Sequence, residues 1–297
     1  MCMRRLLQNR GLTMNIEMQE SLIGIKNNET NIIDSLDNEL DIDWGLKAIN
    51  APQIWNKTKG KGVKILLIDT GIDTDHPDLK DSFKAGYNFF ERSYNVEDEQ
   101  GHGSHVAGIL IGKHTGVAPE AELHVVKVLN NDGRGTMASV MDGITYAINY
   151  NFDIICMSLG VPSELPVVFQ ERIAEAYNKG IVMVCATGNS GANDSLFPAR
   201  MDEVIAVGGL DRELKVSKFT NGGYDVLAPS VEILSTYKDN NYARMSGTSM
   251  ASPLVAGGIA LLISYYRKQG KELKPIEIMN MIKELKGNAF DLTKLMD

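Results

Sequence analysis

Cysteine is scarce in this chain of 297 residues: only Cys2, Cys156 and Cys185 occur. An odd handful in a long chain excludes a disulfide framework and favours a reducing compartment. Cys156 and Cys185 each stand inside an apolar, strand-like run, where a thiol behaves as a small buried hydrophobe, so no cysteine nucleophile is indicated. An excess of positive charge is also lacking. Thirty Lys and Arg against 38 Asp and Glu give a net charge of -8, which leaves no basic footprint for nucleic acid and is read as solubility. Long apolar runs are missing as well. Arg4, Arg5 and Arg10 enclose only Leu6 and Leu7, and no stretch of signal-peptide length follows. The longest apolar run near the C-terminus, Ile259 to Ile263, falls far short of the roughly 20 residues that span a bilayer. The expectation is a cytoplasmic protein with neither nucleic-acid nor membrane partners.

From Val63 onward, short apolar runs alternate with amphipathic stretches. Lys64 to Ile68, Leu123 to Leu129, Asp153 to Leu159, Ile181 to Ala186 and Val204 to Val207 read as buried strands. Between them Met137, Val140, Met141, Ile144, Ala147 and Ile148 recur at helical spacing behind Thr136 as N-cap. A second helix runs from about Val167 to Lys179, with Gly180 as its left-handed terminator. This alternation predicts an α/β fold, a doubly wound and mostly parallel sheet with helices on both faces and its site at the carboxyl ends of the strands. No repeat or linker divides residues 43–297, which read as one catalytic domain. Residues 1–42 are polar and loop-like around Asn27, Asn28, Glu29, Thr30 and Asn31, and read as an extension.

Three motifs carry candidate chemistry. In DTGID, the strand from Lys64 runs straight into Asp69, a rigid platform from which a carboxylate can accept an imidazole N–H and fix its tautomer. An Asp before Gly also marks ordinary turns. In HGSHVAG, His102 opens an apolar helical stretch and is placed as a general base. His105 one turn on could make a metal pair with it, but no third ligand or HExxH motif accompanies them, so His105 reads as a structural histidine. His76, His114 and His124 read as loop, surface and strand residues. In GTSMASP, Ser249 opens a long apolar helix, where backbone N–H groups without intrahelical partners favour a developing oxyanion. Thr248 serves equally well as a plain N-cap, and Pro253 is tolerable as an early helix residue.

DTGID, HGSHVAG and GTSMASP, in the order Asp, His, Ser, resemble the three signatures of the subtilisin family over roughly residue 43 to the C-terminus. The order differs from that of chymotrypsin-like enzymes, and no G-x-S-x-G elbow surrounds Ser249. The resemblance implies a serine endopeptidase with Asp69, His102 and Ser249 as triad, acting through an acyl-enzyme on unfolded or loop segments of polypeptide. It aligns Asn189 of CATGNSG with the oxyanion-hole asparagine, beside the Ser249 N–H. Ser158, Leu159 and Gly160 of MSLG align with one wall of the first specificity pocket. Gly133 and Gly135 align with an edge that pairs with substrate backbone, and Met137 with a more distant apolar pocket.

Departures from the family carry expectations of their own. Asp78 matches a calcium ligand, but only Ile109 to Thr115 fill the place of a longer calcium-wrapping loop, so no cofactor is required for chemistry and a structural calcium at Asp78 stays an open expectation. Glu97, Asp98 and Glu99 offer further oxygen ligands or a solvated acidic turn. Leu196 falls where relatives carry Gly or Ser at the base of the first pocket, which implies a preference for small or medium apolar side chains before the scissile bond. Residues 1–42 are similar in length to the inhibitory tail of intracellular subtilisins, with Leu22, Ile23, Gly24 and Ile25 a loose match to its apolar plug, so the expectation is a zymogen, with a merely disordered tail as the alternative. Two other readings stand beside the peptidase, a peptide-binding pseudoprotease without activity and a metal hydrolase built on His102 and His105.

Overall fold

The computed structural model describes residues 22–25, 29–33, 42–285 and 288–296. Two short strands come first, β1 (Leu22–Gly24) and β2 (Glu29–Ile33), in the stretch whose polarity predicts loops. They form because neighbouring strands supply backbone partners, a signal that side-chain periodicity does not carry. Two short helices follow, α1 (Trp44–Ala48), capped by the Asp43 side chain, and α2 (Ala51–Ile54).

The central sheet has seven parallel strands: β3 (Lys64–Asp69), β4 (Phe83–Asn88), β5 (Glu122–Lys127), β7 (Ile154–Met157), β8 (Val182–Ala186), β9 (Val204–Leu210) and β10 (Val226–Pro229). Their spatial order is β10-β9-β8-β7-β3-β5-β4, and every pairing is parallel. The short strand β6 (Arg134–Thr136) lies outside this sheet and pairs antiparallel with β1. After β5 the chain crosses β3 and continues with β7 on its other side. The winding therefore reverses at β3, and its carboxyl end, Asp69, lies at the switch point where open α/β sheets place their sites.

Helices cover both faces, as the alternation predicts. On one face α3 (His102–Ile111) and α6 (Thr248–Lys268) pack against each other and the sheet. On the other, α4 (Met137–Tyr150) packs against α5 (Val167–Asn178). The two cores divide strand β3 by its pleat, Ile65 and Leu67 entering one and Leu66 and Ile68 the other. Thr136 caps α4 in a reciprocal box with Ser139, and Gly180 ends the turn after α5 at φ +91°. Helix α6 is, by length and composition, apolar enough to cross a membrane, yet 94% of its most apolar window is buried within the protein, so it is a core helix. A last helix, α7 (Pro275–Lys283), closes the α6 side.

A separate antiparallel sheet of order β11-β12-β2 is made by the hairpin β11 (Ile233–Tyr237) and β12 (Asn241–Ser246) with β2 on its outer edge. Strand β12 ends one residue before Gly247 and leads directly into α6, so it delivers Ser249.

Candidate active site

Asp69 and His102 meet in the protein interior. His102 Nδ1 lies 2.7 Å from Asp69 Oδ1, and both side chains are 0% exposed. The same oxygen accepts the Thr70 N–H, which fixes the carboxylate in the plane of the strand end. His102 is the first residue of α3 behind Gly101 at φ +103°, where a side chain would strike the Tyr237 ring. At Gly103 a Cβ would come 2.1 Å from the Gly71 carbonyl oxygen, so only glycine lets the helix start approach the DTG turn this closely. The other imidazole nitrogen, Nε2, is buried with no hydrogen-bond partner among the described residues.

In the acidic stretch before His102, Glu97 and Glu99 are exposed as in a solvated turn, but Asp98 is not. Asp98 is 3% exposed, and donors converge on it: the Thr70 hydroxyl and the Gln100 and Gly101 N–H groups on Oδ1, the Ser104 N–H and hydroxyl on Oδ2. Thr70 Oγ1 in turn accepts the Gly103 N–H. Asp98 thus ties the end of β3 to the first turn of α3, and so holds Asp69 and His102 in register. Sequence reasoning read this residue as a surface charge. A signal was present: an Asp three residues before the helix-leading Gly101 can close an Asx turn and complement the helix N-terminus.

Ser249 is the second residue of α6. Its hydroxyl donates to the Ser158 carbonyl oxygen at 3.3 Å, while the Ser158 hydroxyl donates back to the Ser249 carbonyl at 2.9 Å. Beside it, Asn189 follows β8 and is held by its carbonyl oxygen, which accepts the Thr248 N–H and hydroxyl, both at 2.8 Å. This fixes the amide so that its NH2 end is turned toward Gly247, on the main chain leading to Ser249, where a Cβ would come 3.0 Å from Nδ2.

A cavity of about 240 Å³ joins these groups. It is lined by Ser158, Leu159, Gly160, Gly188, Asn189, Leu196 and Ser249, and by Gly24 and Ile25 of the N-terminal segment. Leu196 lies against two main-chain walls: a Cβ at Gly160 or at Gly188 would each come 2.8 Å from its side chain. Met137 and Leu159 belong, with Ile23, to the core on the α4 side. Gly133 and Gly135 belong to the loop and strand paired with β1: Ile23 faces Gly135, and the Ile25 N–H donates to the Gly133 carbonyl at 3.1 Å. Gly24 and Gly160 exchange hydrogen bonds in both directions. The apolar segment Leu22 to Ile25 thus lies in this cleft as an added strand.

His105, His76 and His114 have structural hydrogen-bond partners, and the His124 ring on β5 packs edge-on against Phe152. His105 Nε2 donates to the carbonyls of Ile233 and Ala243, and burial pushes its pKa down to about 3. A metal pair with His102 finds no third His, Cys, Asp or Glu ligand among the described residues. His76, read as a loop residue, is fully buried, accepting the Asp78 N–H at Nδ1 and reaching the Asn241 carbonyl with Nε2. Asp78 is 5% exposed and takes the His114 N–H and, at 2.6 Å, its Nδ1. Calcium requires six to eight oxygens, and here nitrogen donors occupy the carboxylate, so the residues at Asp78 do not fit that ion. Among the described residues no group of three His, Cys, Asp or Glu side chains is placed to hold a metal. Burial raises the Cys156 and Cys185 thiols far above the range of a reactive thiolate.

Comparison with known proteins gives the same direction. A family model described as the subtilase family matches residues 60–291. The chain is 38% identical to the major intracellular serine protease of Bacillus subtilis over 298 residues, covering 89% of this chain and 93% of that protein. It is 42% identical to the intracellular serine protease of Paenibacillus polymyxa over 238 residues, covering 75% and 73%. To subtilisin BL of Lederbergia lenta it is 37% identical over 250 residues, covering 82% and 90%.

Proposed function

The chain belongs to the subtilase family, and from that premise we propose that Ser249, His102 and Asp69 are the catalytic triad of a serine endopeptidase that cuts unfolded or loop segments of polypeptide. That it is a subtilisin-like serine endopeptidase acting on polypeptide follows from the family and its relatives. The observation that carries the assignment of roles is the buried 2.7 Å contact of His102 Nδ1 with Asp69 Oδ1, which leaves Nε2 as the basic nitrogen.

In this reading the Ser249 hydroxyl turns from the Ser158 carbonyl to His102 Nε2 and attacks the scissile carbonyl as its proton passes to the imidazole. Asp69 stabilises the charged ring and keeps its tautomer. The oxygen of the tetrahedral intermediate takes hydrogen bonds from Asn189 Nδ2 and the Ser249 N–H, whose position at the start of α6 adds the positive end of the helix dipole. His102 returns the proton to the leaving amine, and water then hydrolyses the acyl-enzyme by the same route. None of these steps calls on a cofactor.

Residues 43–297 act as the catalytic domain and residues 1–42 as an inhibitory propeptide, a reading supported by β1 in the cleft. The position of Leu196 between Gly160 and Gly188 supports a preference for small or medium apolar side chains before the scissile bond. The names of the Bacillus subtilis and Paenibacillus polymyxa relatives support a cytoplasmic location. A peptide-binding pseudoprotease finds no support in a site that retains Asp69, His102, Ser249 and Asn189.

The test is casein hydrolysis by the purified chain and by Ser249→Ala side by side, with the N-terminal fragment sized in each. Loss of about 10⁴-fold or more in the variant is expected. Equal hydrolysis in both would sink the triad. A chain lacking residues 1–42 is expected to be more active than the full chain, and equal activity would overturn the inhibitory reading.

A further inference from the structure

The N-terminal segment touches both sides of Ser249. On one side β1 pairs antiparallel with β6, and Gly24 bridges to Gly160, two residues from the Ser158 carbonyl that holds the Ser249 hydroxyl. Five residues after Gly24, β2 begins, and it pairs antiparallel with β12 in an unbroken register from Glu29 against Ser246 to Ile33 against Tyr242. Ser246 itself stands three residues before Ser249. The N-terminal segment therefore forms one ladder, with β6, on the Ser158 side of the serine, and a second, with β12, on the strand that leads into it.

The two ladders read different things. Ile23 on the first is 1% exposed and sits among core side chains. On the second, Thr30, Asn31 and Ile32 are exposed, Ile32 at 57%, so the pairing rests on main-chain hydrogen bonds and not on pockets. Without β2 the hairpin β11–β12 ends in an open edge whose N–H and C=O groups invite an added strand.

We propose that this edge of β12 is a docking strip for the leaving-group side of a polypeptide substrate, gripping about five residues of extended main chain with little regard for their side chains, and that β2 is its stand-in. The proposal rests on Ser249 being the reacting group. Its consequence is a substrate class: chains with a long unfolded stretch on both sides of the cut bond, in preference to short peptides.

Binding tests this without hydrolysis. The full-length chain carrying Ser249→Ala together with Ile32→Pro, which weakens β2 by removing an N–H and disfavouring the strand, is titrated with labelled peptides. One copies residues 20–28 and one residues 20–33. Two more copy residues 20–33 with main-chain N-methyl groups on alternate positions of 29–33, one for each alternate set, and a last one carries alanine at 30, 31 and 32. The longer peptide is expected to bind about tenfold tighter or better than the shorter. One alternate set of N-methyl groups should erase the gain, and alanine should change it less than about twofold. Equal affinity of the two lengths, or a gain that survives both N-methylated sets or vanishes with alanine, overturns the strip. Asn31→Pro in place of Ile32→Pro repeats the measurement should the first variant fold poorly. Casein hydrolysis by the unaltered chain and by Ser249→Ala is read separately. Serine-dependent hydrolysis with equal affinities overturns the strip alone, and a length-dependent affinity with hydrolysis that ignores Ser249 overturns the triad alone.

Discussion

The Ser158 hydroxyl donates to the Ser249 carbonyl oxygen at 2.9 Å, and this contact replaces a bond that helix α6 cannot make. The helical partner of that carbonyl would be the N–H four residues on, but that residue is Pro253. Pro253 is the sixth residue of the helix, past the turn whose donors are orphaned in any case, so its tolerance has a different cause from the one its early position suggests. The missing donor is supplied from the strand β7 side, and the helix end that carries Ser249 is thereby tied to the sheet. Ser158→Ala is expected to lower stability by about 1–3 kcal/mol by leaving a buried carbonyl unpaired. Pro253→Ala supplies an N–H and should recover part of that loss, so urea midpoints of the two single variants and the double variant should be non-additive. Additive losses would show that the two residues do not share this carbonyl.

The contact of Asp69 with His102 and the parallel sheet were legible because both depend on local sequence: buried runs such as Ile65 to Ile68, and side chains such as His102 at a helix start. Asp98 carried a signal only in its place three residues before Gly101, and its acidic neighbours masked it. A run of three acids on one segment reads as surface, and only the approach of Thr70 and Ser104 from two elements shows that its charge is buried and fully hydrogen-bonded. Strand β2 was hidden for another reason: its exposed Thr30, Asn31 and Ile32 carry no burial period, and its partner β12 lies more than 200 residues away in the chain. The Asp78 and His114 pair joins residues 36 positions apart, and neither side chain alone announces the other.

Leu196 is expected to set the depth of the first pocket. Leu196→Gly opens the space between Gly160 and Gly188, and each methylene admitted is worth about 1–3 kcal/mol in discrimination. The ratio of kcat/KM for peptides with Phe before the cut bond to those with Ala should rise about tenfold or more in the variant, read with otherwise identical substrates. An unchanged ratio would remove Leu196 from the pocket.

Calcium removal should have little effect at Asp78. His114 already supplies two donors to the buried carboxylate, so a chelator is expected to shift the Tm by less than about 2 °C. His114→Ala, in contrast, keeps the main-chain N–H but removes the imidazole donor at Asp78 Oδ1, and should lower stability by about 1–2 kcal/mol. Calorimetry of both proteins with and without chelator separates the outcomes. A large chelator effect that persists in His114→Ala would mean that an ion is held elsewhere.

His105 makes stability depend on pH in a known direction. Burial holds its folded pKa at about 3, against an ordinary value of 6.5, so between these values the unfolded chain binds a proton that the folded chain does not. The unfolded state gains from acid. The stabilising contribution is complete above pH 6.5 and is lost as the pH falls through the window toward 3. From pH 7 to pH 5 the loss from this one group amounts to about 2 kcal/mol. In His105→Gln the group that titrates is gone, so the variant starts less stable at pH 7, where the hydrogen bonds to Ile233 and Ala243 are perturbed, but falls less on acidification. Urea midpoints of both proteins at pH 7 and pH 5 give the two slopes. Parallel slopes would mean that His105 is not buried in its neutral form.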